Sequence, residues 1–502
     1  ATTFRLYLNK QGTDTKLAND AELRLADSYF MTSQYNNAIN YYQMYLGRSV
    51  PDSDYAMFQQ SLCYGLVDED QRKAVSLEKL VKQYPNSVYA TDAYFELGET
   101  YMKMGKENQA ENIFTAFIQD YPKSRFIKNA HIALGLIYRS QGKGKNALNQ
   151  FKSVVEDFPN TAESREALGL AKIQFAELDQ LTGYVDWIQT LTGTDIGQGQ
   201  LDSTLYNGAY DRYSFGDCQG TLKGMTDYLN KFPDGIFRVP ANYYLAECAF
   251  SKGQDSLAQM AYEFVAASGE LSFRKQTVER LASLYYAKQN FEQAFYYFEQ
   301  VLGLVGNADE GRRARVGLMR CAKSLEKVPV VMQYAESLLQ DEALPTDWKI
   351  EALLNAARSA YELKDSANAK LYYTQVKVQI KGEAQAEATY YLAEFDFVIG
   401  KYDESNDLLF WMIENLPTYP KWRWNSLILM AKNYAGLRDD FQANYTLDFV
   451  IDNADFGDYG AQASAYKSEL ALQREREELN TIGVDSLSME DFELESIEEL
   501  EE

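Results

Sequence analysis

The chain has 502 residues, a formal net charge of −24, and 46% hydrophobic and 14% aromatic residues. The acid excess excludes a general nucleic-acid or anionic-membrane surface, because phosphate binding needs a basic face. No apolar run approaches the roughly 18 residues that span a bilayer, and no composition break splits this long chain into separate globular units.

The first residues, Ala1-Thr2-Thr3-Phe4-Arg5-Leu6-Tyr7, carry no initiator Met and no basic-then-apolar leader. Ala1 lies 37 residues before Ala38, so Phe4 and Tyr7 read as the packing face of a second helix that lacks its first. The expectation is of further repeats upstream. Beyond this start, Pro85, Pro122 and Pro159 follow at 37-residue steps and Pro233 at twice that step. Their phrases are Tyr84-Pro85-Asn86-Ser87, Tyr121-Pro122-Lys123-Ser124, Phe158-Pro159-Asn160-Thr161 and Phe232-Pro233-Asp234-Gly235. Proline cannot continue a helix, so a periodic proline marks a periodic helix end.

Between these prolines two segments share one pattern. Tyr94-x-x-Leu97-Gly98-x-x-Tyr101 precedes Ala110-x-x-x-Phe114, and His131-x-x-Leu134-Gly135-x-x-Tyr138 precedes Ala147-x-x-x-Phe151. The spacing predicts one apolar stripe on a first helix, with a small residue that lets a second helix cross closely. The second-helix alanine recurs at Ala38, Ala74, Ala110, Ala147, Ala258, Ala294, Ala369 and Ala443, with Val330 and Ser405 in its place in two further repeats. The first-helix pair recurs as Leu25-Ala26, Leu245-Ala246, Leu281-Ala282, Leu392-Ala393 and Met430-Ala431.

These segments resemble the tetratricopeptide repeat, a pair of antiparallel helices. The resemblance implies an all-α fold, a right-handed α-solenoid of about twelve tetratricopeptide helix pairs between residues 20 and 455. The expected organisation is an N-terminal array over 1–165, degenerate Gly-rich repeats over 166–235 and a C-terminal array over 236–455. A capping helix over 456–479 and an acidic tail over 480–502 follow. Glycines at 193, 197, 199, 208, 216, 220 and 224 suggest a bend or looser joint.

Little in the sequence points to catalysis. The single histidine, His131, occupies a packing slot of the repeat, which removes most imidazole-based chemistry. Cys63, Cys218, Cys248 and Cys321 lie far apart in no metal or redox spacing and read as free thiols. Gly142-Lys143-Gly144-Lys145 lacks the spacing of a phosphate loop. The reading is a non-enzyme with no cofactor and no metal.

In tetratricopeptide arrays the first helices line the concave face, which places candidate partner-binding residues here. After the Leu-small pair come Asp27, Glu99, Glu247 and Glu394; three residues further on come Phe30, Met102, Phe250, Tyr286 and Phe397. An acidic and apolar groove of this kind favours basic or amphipathic segments of other proteins. Trp422, Arg423 and Trp424 form a second candidate, a stacking ledge, with a packed inter-repeat turn as the alternative. Residues 84–165 resemble bacterial cell-envelope tetratricopeptide proteins, the class of the Tol-Pal coordinator and of the outer-membrane assembly lipoprotein. That resemblance implies a scaffold in the periplasm or at the outer membrane; a cytoplasmic adaptor is the alternative.

Overall fold

The computed structural model describes residues 2–9, 15–48, 50–192 and 196–498, with side chains described as far as residue 479. The chain divides into two units, Ala1–Gln254 and Asp255–Glu502. The first holds α1 (Thr2–Leu8), α2 (Thr15–Met31), α3 (Tyr35–Leu46), α4 (Ser53–Leu66), α5 (Asp70–Gln83), α6 (Ala90–Lys103) and α7 (Glu107–Asp120). It continues through α8 (Ile127–Ser140), α9 (Gly144–Asp157), α10 (Ala162–Glu177), α11 (Leu181–Thr190), α12 (Gln198–Ser214), α13 (Cys218–Lys231) and α14 (Arg238–Ser251). The second holds α15 (Asp255–Ser268), α16 (Arg274–Ala287), α17 (Phe291–Gly303), α18 (Ala308–Ser324), α19 (Val328–Leu339) and α20 (Thr346–Glu362). Its remaining helices are α21 (Ser366–Gln379), α22 (Glu383–Val398), α23 (Tyr402–Asn415), α24 (Pro420–Gly436), α25 (Asp440–Asn453) and α26 (Tyr459–Glu498). Among the described residues there is no strand, and the fold is an all-α solenoid in which even-numbered first helices, α2 to α24, alternate with odd-numbered second helices, α3 to α25.

Three of the four proline phrases close their second helix with a hydrogen-bonded turn. The backbone N–H of Ser87 donates to the Tyr84 carbonyl at 3.0 Å, Ser124 to Tyr121 at 3.0 Å and Gly235 to Phe232 at 3.0 Å. Proline in the second place of these turns presets its φ. The Phe158-Pro159 phrase differs: Asn160 is left-handed at φ 64°, and the Thr161 hydroxyl accepts from the Ser164 N–H at 3.1 Å to cap α10. The turn from first to second helix needs a left-handed residue, which Gly105 and Gly142 supply at φ 71° and 72°.

The second-helix alanines are the most buried positions of the array. All eight are no more than 1% exposed. Two slots that the sequence left unassigned, 37 and 74 residues after Ala147, hold Tyr184 and Thr221, both buried. One assignment is corrected: Val331, not Val330, fills the slot in α19; it lies five residues after the left-handed Glu326, as Ala110 lies after Gly105 and Ala147 after Gly142, and 37 residues after Ala294. Ser405 keeps its slot by donating to the Ala393 carbonyl at 2.8 Å and accepting from Asn433 at 2.8 Å.

The first-helix glycine has a measurable reason. A Cβ on Gly98 would stand 2.6 Å from Cζ of Phe114, and one on Gly135 would overlap Phe151. Both phenyl rings are fully buried. Gly98→Ala is expected to cost about 1–3 kcal/mol by overpacking. Urea denaturation checks this, and Phe114→Leu in the same chain should restore most of the loss. A Gly98→Ala midpoint equal to the parent's would overturn the argument.

In the Gly-rich stretch Gly208, Gly220 and Gly224 are closely packed, whereas Gly197, Gly199 and Gly216 have open space beside them. A Cβ on Gly224 would meet Cβ of Ala209 at 2.8 Å, so this glycine lets α13 approach α12. What is reduced here is α11, only ten residues long. The expectation of four free thiols is also corrected. Cys218 and Cys248 form a disulfide with their Cα atoms 5.1 Å apart, while Cys63 and Cys321 are free and buried. Thirty residues separate the pair in sequence, and only the stacking of α13 on α14 brings them together.

In the second unit, the start of α26 packs on the helix pair before it. Ala463 packs with Trp424, Leu447 and Val450, and Leu470 with Ala435 and Ala443. Arg474 locks it by pairing with Asp440 at 2.8 Å and donating to the Ala435 carbonyl at 2.7 Å. The acidic tail, 480–502, lies outside the residues whose side chains are described.

Candidate partner-binding face

In the first unit the predicted residues fall on the first helices α2, α6 and α14. Phe30 of α2, Leu62 and Leu66 of α4, and Glu99 of α6 line one groove of about 520 Å³. Its basic residues are already engaged: Lys73 pairs with Glu96 at 2.6 Å, and Lys103 with Asp70 at 2.9 Å. Glu99 is solvent-accessible, yet burial among the groove walls raises its carboxyl pKa, helped by Glu96 and opposed by Lys73. Met102, one turn on, is half-buried against the core of its repeat.

Asp27 does something the sequence did not suggest. Its Oδ1 accepts from the Tyr42 hydroxyl at 2.7 Å and the Tyr55 hydroxyl at 3.0 Å, tying α2 to α3 and α4. Tyr42 is fully buried. Burial and the Asp27 carboxylate push the Tyr42 pKa far up and that of Tyr55 up to about 12. Asp27 is therefore a structural acceptor. Glu247 and Phe250 are half-buried on α14.

The second unit differs in charge. Tyr286 packs edge-on against Phe291 and Phe298 of its own repeat, at 5.6 and 6.5 Å. Glu394 accepts from the Tyr361 hydroxyl at 2.7 Å, and Phe397 leans on Tyr402 at 5.7 Å. The register slot of Glu99 holds Arg320, after Leu318-Met319, and Arg358, after Ala356-Ala357. Each arginine makes a two-pronged ion pair with the next first helix, Arg320 to Glu351 at 2.7 and 2.8 Å and Arg358 to Glu387 at 2.5 and 2.7 Å. Glu387 is only 5% exposed. The acidic groove expected along the whole array is thus acidic around Glu99 and mixed in α18–α22. Reading every residue after the Leu-small pair, rather than the acids alone, would have found these arginines.

Trp422 and Trp424 lie in the first turns of α24 and are 4% and 5% exposed. Trp422 packs on Tyr390 and Tyr391, and Trp424 on Phe449. Their faces are spent on packing and on Lys421 and Arg423, which lie over the two indoles at 4.6 and 5.3 Å. This is the packed inter-repeat arrangement and not a ledge. His131 bonds Gln150 at 2.7 Å, first helix to second within one repeat.

Four segments, residues 20–53, 55–87, 92–124 and 351–379, match the family model described as tetratricopeptide repeat. No curated protein matches the chain. Among solved structures, yeast Tom70 is 15% identical, with 92% of this chain and 97% of that chain covered at a TM-score of 0.28. A tetratricopeptide repeat protein from Parabacteroides merdae is 15% identical over 53% of this chain and 98% of that one, at a TM-score of 0.27. MamA from Desulfovibrio magneticus is 13% identical over 34% and 91%, at a TM-score of 0.29. With the helix pairs, the alanine slots and four family matches in agreement, these four segments carry tetratricopeptide repeats.

Proposed function

We propose that the protein is a non-catalytic scaffold that takes basic or amphipathic segments of partner proteins on the concave face lined by its first helices. Proteins of this repeat class generally act through protein contacts. The observation that carries the reading is the groove in which Phe30, Leu62, Leu66 and Glu99, from three consecutive first helices, combine an apolar floor with a carboxylate whose cationic neighbours are engaged elsewhere. The same reading puts the scaffold in a bacterial envelope assembly. One feature supports that placement: the Cys218–Cys248 disulfide, since such bonds persist in oxidising compartments. The cytoplasmic adaptor is the second reading, favoured by the buried free thiols of Cys63 and Cys321.

Partners recovered by pull-down from native membranes provide the test. Glu99→Lys should leave stability within about 0.5 kcal/mol and slow association, with the loss shrinking at high salt. Because the Glu99 carboxyl titrates above its ordinary range, it loses charge early as pH falls. Binding of a basic partner should weaken on that acid limb, and Glu99→Gln should flatten it. Unchanged on-rate and salt dependence in Glu99→Lys would sink the groove assignment. Mass measurement of thiols alkylated during cell lysis tests the compartment: an intact Cys218–Cys248 bond fits the envelope, and a fully reduced pair fits the cytoplasm.

A further inference from the structure

Two second helices of the second unit depart from the repeat in a way that packing does not explain. Ala443, Leu447 and Val450 fill the packing positions of α25, and Ser405, Leu409 and Met412 fill those of α23; all six are buried. The outward positions lie two residues before the first of these and two, five, six and nine after it. In α7 they hold Asn108, Asn112, Thr115, Ala116 and Gln119, with no charge and no ring. In α23 they hold Asp403, Asp407, Phe410, Trp411 and Glu414, and in α25 Phe441, Tyr445, Asp448, Phe449 and Asp452. All ten residues on these two helices are exposed. Phe441 is 77% exposed and Tyr445 65%. At roughly 200 Å² for a whole aromatic side chain, the five rings leave about 500 Å² of apolar surface in water, the scale of patches that mark interaction sites.

Rings and acids alternate between the two helices by register. Where α25 holds Phe441 and Tyr445, α23 holds Asp403 and Asp407; where α23 holds Phe410, α25 holds Asp448. Rings coincide at Trp411 and Phe449, and acids at Glu414 and Asp452. Neither helix contains a Lys or Arg. The cations around them are engaged: Lys401 on Glu404 at 3.2 Å, Lys467 on Asp448 at 2.5 Å and Arg474 on Asp440 at 2.8 Å. Among the described residues, Asp403, Asp407, Glu414 and Asp452 make no ion pair. Lys377 of α21 lies over the Trp411 ring at 5.2 Å, so one ring of the patch already takes an ammonium group.

Charge decides what covers this surface. A second copy of the chain brings a net charge of −24, and residues 480–502 bring nine acids and no base, so both are repelled. An anionic bilayer is repelled in the same way. We infer that α23 and α25 together dock a basic amphipathic helix of a partner protein. Its apolar residues rest on the exposed rings, and its Lys or Arg residues meet the acids between them. Each of the two helices has 14 residues, about 21 Å of length, which a partner helix of about four turns spans. The surface lies on second helices, apart from the first-helix groove at Glu99, and stands without it.

The probe is a dye-labelled Leu–Lys amphipathic helix of about four turns. A Leu–Glu helix and a Leu–Lys peptide of scrambled order are the controls. A photo-cross-linking residue on the apolar face reports where each peptide sits on the full chain. Adducts of the Leu–Lys helix are expected on α23 and α25, with binding at least about tenfold tighter than either control. Phe441→Ser with Tyr445→Ser should lose those adducts and weaken binding about tenfold at every salt concentration, because it removes apolar contact. Asp407→Lys with Asp452→Lys should weaken binding at low salt only, since a Debye length of about 3 Å at 1 M salt removes the attraction. All four positions are exposed, so thermal melts should match the parent's. Phe441→Tyr with Tyr445→Phe keeps the rings and should bind as the parent does. Glu99→Lys should leave the adducts on α23 and α25 unchanged, whatever it does to adducts on α2, α4 and α6. Adducts confined to other helices, a Ser pair that binds like the parent, or equal binding of the Leu–Glu helix would each overturn the inference. Self-association abolished by the Ser pair would also overturn it, by giving the surface to a second copy. Capture by phosphatidylcholine vesicles, lost in the same pair, would give it to a lipid surface instead.

Discussion

Asp27→Ala should destabilise the first repeats by about 2–4 kcal/mol, the penalty of leaving buried hydroxyls without an acceptor. The Tyr42 hydroxyl is fully enclosed, and it and Tyr55 both rely on one carboxylate oxygen. Asp27→Asn keeps an acceptor and should recover most of the loss. Tyr42→Phe should cost less than Asp27→Ala, since it removes donor and need together. Glu99→Ala, in the same register slot two repeats on, should shift stability by no more than about 0.5 kcal/mol. Chemical denaturation of the four variants reads this contrast. A parent-like midpoint for Asp27→Ala would show that water serves the two phenols in its place.

Replacing both Cys218 and Cys248 by serine should remove about 3.5 kcal/mol from the repeats they join, the chain-entropy value for a loop of 30 residues. Stability in repeat arrays passes mainly between neighbours, so the loss should stay local. Hydrogen exchange should speed in α12–α14 and remain parental in α6–α9, where the Leu-Gly-Tyr pattern is strongest. Exchange that rises uniformly along the first unit, or nowhere, would show that the bond does not hold these helices together. Mild reductant on the unaltered chain should reproduce the double variant's profile.

The periodic residues were legible because their job repeats. Alanine returns wherever two helices cross closely, and Gly98 and Gly135 make the same statement against Phe114 and Phe151. Tyr184 and Thr221 fill that slot without resembling alanine, so the register there had to come from the spacing. Val331 escaped because two valines stand side by side, and only the distance from the left-handed Glu326 tells which of them fills the slot. The candidate site was harder to read. Position after the Leu-small pair puts Glu99 on a groove wall with Phe30 and Leu62, yet the same position makes Asp27 an acceptor for two phenols and Arg358 half of a partly buried ion pair. Which role a slot takes depends on partners one repeat away, as Tyr55 and Glu387 show. The disulfide was silent for the same reason: its cysteines belong to different repeats and have no local spacing. Trp422 and Trp424 misled by composition, since aromatic residues beside arginine describe a core edge as well as a binding edge.

The turns at Ser87, Ser124 and Gly235 each close within four residues, and each lies between helices that then pack on their immediate successors. Nearly every contact is therefore short in sequence, and little chain entropy must be lost before native packing begins. A chain built this way can settle as it leaves the ribosome, one helix pair after another, without waiting for its far end. The disulfide is the exception in timing: Cys218 must stand exposed until α14 has been made, and oxidation can follow only then.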